Sequence, residues 1–272
     1  MAYENFKPLI WSHHIQTETP KLTVFEKDCD YQFKGDVKKG HDVKILGVGR
    51  PSIGDYKGTD IGTPETVADN DQILRIDQAK YFNFMVDDVD EAQGQDGVME
   101  KLMEGAALSL AEERDRYIAN LMNGATYAST AKTITTTVAC EAELTAALQK
   151  LADNGVRIGY DEVTAYLDPA RWFLMAKYII DLRTDNDKAL ATARVGNYLG
   201  CKLVMTPHLA KDKSGNVLIP VKTKKAVAFA SGIDEVEAYR PQGLFSDAVK
   251  GLNTFGGKIV RQKELYVIKA NV

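Results

Sequence analysis

The residues of this chain that could do chemistry are few, and their spacing withholds the chemistry they suggest. Val43-Lys44-Ile45-Leu46-Gly47-Val48-Gly49 reads as a strand running into Gly-x-Gly, the opening of a dinucleotide-binding turn whose glycines admit a pyrophosphate to a helix N-terminus. Ser52 takes the third glycine position, and Pro51, Gly54, Asp55 and Gly58 oppose the helix, so the segment reads as a glycine-bent hairpin and not a βαβ unit. The histidines are His13, His14, His41 and His208, and none has a spacing that sets two imidazoles on one helical face. Asp181, Asp185 and Asp187 lack the glycine and closing glutamate of a calcium loop. Ser231-Gly232 has no nearby histidine to activate the hydroxyl. Asp87, Asp88, Asp90 and Glu91 crowd the exit of a strand, where carboxylates ordinarily cap or stay solvated. Cys29, Cys140 and Cys201 are far apart and odd in number, which predicts free thiols in a reducing cytoplasm. No catalytic, cofactor-binding or metal-binding residue is assigned, no cofactor is expected, and the chain reads as something other than an enzyme.

The elements that would have to position any such residues are clearer. The first 27 residues, with Leu9, Ile10 and Trp11 among prolines and histidines, show no sustained period and read as an arm seeking a partner surface. Strands are predicted at Val43–Val48, Gln72–Ile76 and Lys80–Val86, with a glycine-rich stretch from Gly47 to Asn70 that cannot bury itself in a compact core. After Asp96 the period changes to that of a helix. Met99, Leu102, Met103, Ala106, Leu110, Tyr117, Ile118 and Leu121 recur at helical spacing up to Gly124, and the charged run Glu112-Glu113-Arg114-Asp115-Arg116 reads as its solvated face. Ala128 to Thr137 is a Thr-rich linker or edge strand. Beyond it come a helix from Glu141 to Asn154-Gly155, a strand at Val163–Leu167, a helix opened by Asp168-Pro169 with Asp168 as its cap, and strands at Leu199–Met205, Ala226–Ala230 and Leu265–Ile268.

Composition bounds the partners. In 272 residues, 44% hydrophobic and 26% charged predicts a folded protein. A net charge of −4 argues against a surface that grips nucleic acid everywhere. No run approaches the roughly 18 apolar residues of a membrane span, and no signal peptide is evident at Met-Ala-Tyr-Glu-Asn-Phe-Lys-Pro.

Three stretches carry a family resemblance: Ile76-Asp77-Gln78-Ala79-Lys80-Tyr81-Phe82-Asn83-Phe84-Met85-Val86-Asp87-Asp88-Val89-Asp90, then Leu110-Ala111-Glu112-Glu113-Arg114-Asp115, then Gly196-Asn197-Tyr198-Leu199-Gly200-Cys201-Lys202-Leu203-Val204. Together with the arm, the hairpin and the long helix they resemble the major capsid protein of tailed bacteriophages of the Hong Kong 97 type, over nearly the whole chain. The resemblance implies an α+β fold with an N-terminal arm (1–27), an extended loop (28–80), a peripheral domain built on a spine helix (81–130 and 236–262) and an axial domain (131–235 and 263–272). It implies a structural subunit that assembles with copies of itself, in hexameric and pentameric capsomers, into an icosahedral shell around phage DNA. Separate scaffolding and portal proteins, no sequence-specific DNA contact, no membrane partner, synthesis in the host cytoplasm and a place in the virion capsid go with that reading.

The residues expected at subunit contacts are Trp11 in the arm, Arg50, Ile53 and Tyr56 in the loop, Arg114 on the spine, and Arg240 and Phe255. Some relatives join a loop lysine to an asparagine. Lys57, Asn253 and Asn271 are present here, but no motif supplies the third participant, a carboxylate, and no such link is assigned. The alternatives are an encapsulin-like nanocompartment shell, which shares the fold, and a soluble α/β enzyme, which would be active as a monomer.

Overall fold

A computed structural model of the chain describes residues 23–32, 42–48, 53, 69–87, 98–181 and 196–271. Strands β1 (Asp42–Val48) and β2 (Asp69–Arg75) form a two-stranded antiparallel ribbon, running from Asp42 opposite Arg75 to Val48 opposite Asp69. Gly47 pairs with Asn70 in this ribbon, so the first glycine of the Gly-x-Gly segment stands in an antiparallel strand pair. Strand β3 (Gln78–Asp87) follows, then the helix α1 (Val98–Met122), within one residue or two of the span predicted by its hydrophobic period.

A short strand β4 (Lys132–Thr133) inside the Thr-rich stretch leads to helix α2 (Thr137–Asp153). This helix starts earlier than Glu141 because Thr136 caps it, accepting a hydrogen bond from the Ala139 amide at 3.2 Å. Strand β5 (Val163–Leu167) and helix α3 (Pro169–Asp181) follow as predicted. The predicted cap is corrected: the Asp168 carboxylate accepts from Arg171 at 2.8 Å, and its second oxygen has no hydrogen-bond partner. The run Leu199–Met205 is also not one strand. Leu199 and Gly200 both take positive φ, 47° and 78°, and make the two-residue turn between β6 (Asn197–Tyr198) and β7 (Cys201–Met205). The chain then runs through β8 (Val217–Thr223), β9 (Val227–Tyr239), β10 (Ser246–Ile259) and β11 (Leu265–Asn271).

Two sheets organise these elements: a three-stranded one in the order β3-β10-β9 and a six-stranded one in the order β4-β11-β8-β5-β7-β6. Alternation along the strands assigns the faces of the larger sheet. Val163, Ala165 and Leu167, with Val217, Ile219, Val221, Ile268 and Ala270, face α2 and α3 in an apolar layer with Leu144, Leu148, Leu151 and Met175. Tyr166, Leu218, Leu265 and Val267 face the other way, toward Ile118 and Met122 of α1, Phe229 of β9 and Phe255 of β10. The long strands β9 and β10 thus carry the chain from one sheet to the other. The boundaries expected at 27/28, 80/81 and 235/236 each fall inside continuous structure: the packed segment 23–32, strand β3 and strand β9.

Candidate assembly interface

The surfaces available to a partner are held in place by a buried polar clasp. On α1 the buried positions are Met103, Ala107, Leu110, Ala111, Arg114, Asp115, Ile118, Ala119 and Met122, the stripe a helix of 3.6 residues per turn turns toward its core. Arg114 and Asp115 lie in that stripe, which corrects the reading of the 112–116 run as a solvated face. Only Glu112, Glu113 and Arg116 keep to the outside, paired with one another at 2.9 and 3.3 Å.

Both buried charges act on residues 23–32. Asp115 accepts the Val24 amide at 2.8 Å and the Phe25 amide at 3.0 Å. Burial raises its carboxyl above the ordinary aspartate range, against the lowering effect of the amides of Val24, Phe25 and Glu26. Arg114 is 4% exposed; it pairs with buried Glu26 at 3.2 Å, donates Nε to Asn253 Oδ1 at 3.2 Å, and sits 6.0 Å from the centre of the Phe255 ring. Phe25 packs on Tyr166 with ring centroids 4.3 Å apart, a burial worth about 2–3 kcal/mol. Farther along, the Tyr166 hydroxyl donates to Asp28 at 2.9 Å, the fully buried Lys222 ammonium donates to the Asp28 carbonyl, and Asp30 exchanges main-chain hydrogen bonds with Val227 and Phe229 at 2.9 and 3.1 Å. Desolvation lowers the pKa of Lys222 and raises that of Cys29 to about 11. One ten-residue segment is therefore fastened to α1, to the six-stranded sheet through β5 and β8, and to β9.

The base of the ribbon is fixed next to it. Val43, Ile45 and Leu74 pack on Ala228 and Ala230 of β9. The Gln72 side chain donates to the Val260 carbonyl at 3.2 Å, and Lys258 donates to the Ile73 carbonyl at 3.0 Å. Gly256 is required where the strands cross, since a Cβ there would collide with the Arg75 carbonyl and with Ile76. Tyr117 of α1 donates to Asp77 at 3.1 Å and accepts from the Gly257 amide at 3.1 Å.

On the three-stranded sheet the two faces differ. Phe82 and Phe84 turn inward onto Met103, Ala107 and Leu110, while Tyr81 and Met85 point outward, 80% and 60% exposed. Leu252, opposite Tyr81 in register, extends this apolar row, and the Lys250–Glu237 pair at 2.8 Å borders it. Leu244 and Phe245, in the turn between β9 and β10, are exposed as well. Among the described residues no cluster of three metal-ligating side chains occurs.

The family model for phage capsid protein matches residues 71–268, which includes β3, α1, both sheets and the strands that join them. The chain belongs to the phage capsid protein family. Among solved structures the chain is similar to one from Mycobacterium phage Che8, with 28% identity and a TM-score of 0.75 over 90% of each chain. It is also similar to the capsid structure of the Cyanophage P-SCSP1u, with 17% identity and a TM-score of 0.75 over 92% of this chain and 88% of that one. A virus-like particle from Pyrococcus furiosus shares the fold at 10% identity and a TM-score of 0.62, over 93% and 95% of the two chains. No curated protein matches the sequence. The fold is the Hong Kong 97-like α+β capsid fold, and the protein is a structural shell subunit located in the virion capsid. The family match favours the phage shell over the encapsulin-like alternative, because the virus-like particle shares the fold alone.

The contact residues named from sequence separate into three groups in this capsid protein. Trp11, Arg50 and Tyr56 lie outside the described residues, as does Lys57. Ile53 is 98% exposed, and Arg240 follows β9 with its guanidinium 3.6 Å from Asp247. Arg114 and Phe255 are corrected: both are buried in the subunit's own core, Phe255 between Tyr117 and Phe229 with centroids 5.3 and 6.0 Å away. Asn253 is buried too, holding Arg114. Sequence reasoning missed Glu26 and Asp115 although a signal existed for the latter. The α1 stripe leaves a gap between Leu110 and Tyr117 that positions 114 and 115 fill in phase.

Proposed function

We propose that this subunit assembles into pentameric and hexameric capsomers of an icosahedral shell that encloses phage genomic DNA without sequence-specific contact. The subunit is made in the host cytoplasm and assembles with separate scaffolding and portal proteins. The observation that carries the reading is the outward row Tyr81, Met85 and Leu252 on a sheet whose inner face packs Phe82, Phe84 and Val249 against α1. A rigid sheet that leaves an aromatic, a methionine and a leucine in water fits a surface completed by another copy of the chain. The clasp supports the same reading, because it fixes where the chain before residue 23 and the loop after residue 48 depart from the body. In this reading β3, α1, β9 and β10 form the peripheral domain, the six-stranded sheet with α2 and α3 forms the axial domain, and residues 23–32 join the two. Trp11, Arg50, Ile53, Tyr56 and Arg240 are then contacts to neighbours. Many copies of an interface near the standard total of about 1,600 Å² suffice to close a shell even where each is modest.

The test is the double substitution Tyr81→Ser/Met85→Ser in the full chain. The expected result is a subunit with stability within about 0.5 kcal/mol of the wild type, since both side chains are on the surface, that no longer forms shells by electron microscopy and size-exclusion chromatography. Shells formed at wild-type yield would remove this face from the assembly.

A further inference from the structure

Two short turns meet where β9 and β10 leave the larger sheet. Lys224–Ala226 is a single 3-10 turn between β8 and β9, and Gln262–Glu264 is another between β10 and β11. The main chain locks them together: the Ala226 carbonyl accepts from the Val260 amide at 2.9 Å and the Arg261 amide at 3.2 Å, and the Thr223 hydroxyl bonds Glu264 at 2.5 Å. Ala226, Val227 and Leu265 beneath them are fully buried. The platform is therefore rigid.

The two turns present four exposed cations, Lys224, Lys225, Arg261 and Lys263, against one carboxylate of their own, Glu264, and the exposed Glu162, one residue past the Val163–Thr223 register pair, a formal local balance of +2 (4 − 2) on a chain whose net charge is −4. Glu264 is already committed to Arg261 at 2.9 Å and to Thr223. Neighbouring carboxylates are occupied as well: Asp28 by Tyr166 and Lys202, Asp30 by the Gln32 amide, Asp153 by Lys150. Lys224, Lys225 and Lys263 make no ion pair with any described residue. Across residues 217–231 and 255–268 no large apolar side chain is exposed. Protein interfaces centre on apolar and aromatic groups, whereas a surface with an excess of cations on a fixed backbone matches the contacts made to a phosphate backbone.

We propose that these two turns are a phosphate-contact surface for the nucleic acid that the shell encloses; the inference rests on the reading of the shell as a DNA container. Three lysines without an ion pair among the described residues neutralise about three phosphates per subunit, which gives a weak, salt-sensitive and sequence-independent contact. Such a contact holds the outer layer of packaged DNA at many points without pinning it at any.

Unassembled subunits are titrated with a fluorescent DNA duplex of about 20 base pairs at several salt concentrations, reading anisotropy. Lys224→Gln/Lys225→Gln/Lys263→Gln is expected to weaken binding at least about tenfold at low salt and to reduce the slope of log K against log salt by about two to three, at roughly 0.9 per phosphate contact. The corresponding triple Lys→Arg variant keeps both. An unchanged slope in the Gln variant, or a wild-type subunit with no DNA affinity at low salt, overturns the proposal. So does a Gln variant that binds DNA normally and instead loses an acidic protein partner. Electron microscopy of the chain co-expressed with its scaffolding protein reads shell formation separately: shells that form normally while DNA binding is unaffected by the substitutions sink the phosphate surface alone, and a wild-type chain that forms no shells even with its scaffolding protein present sinks the container reading.

Discussion

The two faces of the six-stranded sheet are built on different principles. The face under α2 and α3 is an apolar layer in which Leu144, Leu148, Leu151, Val163, Leu167 and Ile219 pack on one another, with one buried polar pair, Asp168 and Arg171, at its margin. The opposite face buries Glu26, Arg114, Asp115 and Lys222 among Phe25, Tyr166, Phe229 and Phe255. Apolar contacts accept any partner of suitable shape, so the first face needs volume and pattern. Charges buried with directional hydrogen bonds accept one arrangement, because any other leaves a desolvated group unpaired. In this subunit the directional face is the one that fixes residues 23–32. Specificity of placement is our hypothesis for why the charges are retained there, since a buried ion pair by itself is weak support for stability.

Breaking one member of each face separates placement from stability. Arg114→Met leaves Glu26 buried without its cation and is expected to cost about 3–5 kcal/mol in urea unfolding. Leu151→Ala, in the apolar layer, is expected to cost a similar 2–5 kcal/mol or so. The comparison lies in assembly at matched folded fraction: Leu151→Ala retains shell formation, and Arg114→Met loses it. Equal shell yields from the two variants would show that the clasp holds no more than any other part of the core.

An intermediate effect reads the buried thiols by pH. Burial pushes the thiols of Cys140 and Cys201, in the apolar layer, up to about 12. An acid with a raised folded-state pKa keeps its proton in the native state and loses it on unfolding, so stability falls as pH rises from about 9 toward 12, by up to about 1.4 kcal/mol per pH unit for each thiol. On the clasp side Cys29, raised to about 11, works in the same sense, and Lys222 in the opposite one. The lowered pKa of Lys222 means that stability is gained as pH rises toward the unfolded value near 10.5. Cys201→Ala is therefore expected to flatten the alkaline loss of stability, read as urea midpoints between about pH 9 and 11. Parallel profiles for variant and wild type would mean that the thiol titrates as it does in water.

The smallest effect refines the clasp. Tyr166→Phe removes the hydroxyl bond to Asp28 and keeps the ring against Phe25. A loss of about 1 kcal/mol is expected, with shells still formed, because the Asp28 main chain remains tied to Lys222. A loss as large as that of Arg114→Met would move the centre of the clasp from α1 to β5.

Most elements of the fold were legible because each leaves a local signature. The Val163–Leu167 strand is a short β-rich run ended by Asp168-Pro169, and the stripe from Met103 to Met122 follows one helical period. The misreadings share a cause. Leu199-Gly200 is apolar and strand-like in sequence but takes two left-handed backbone conformations to close a hairpin, and Asp168 has the type of a cap but spends its carboxylate on Arg171. Glu26 and Phe25 stand in a stretch with no period at all, so nothing nearby in sequence reveals that Asp115 and Arg114, some ninety residues away, hold them. Arg240 and Ile53 are on the surface, whereas Phe255 and Arg114 turned inward, since residue type alone does not say which face of a strand or helix meets the core.

By itself the sequence determined the succession of hairpin, long helix and α/β layer, the lack of motifs for catalysis or metal binding, and the likeness to phage capsids, because these depend on composition, short-range spacing and runs of adjacent residues. Only the tertiary structure decided that the 112–116 run divides between core and solvent, that residues 23–32 belong to the body, and that Tyr81, Met85 and Leu252 form one outward row. Those facts depend on which distant segments meet, and a buried charge is stable only where its partner has been brought to it.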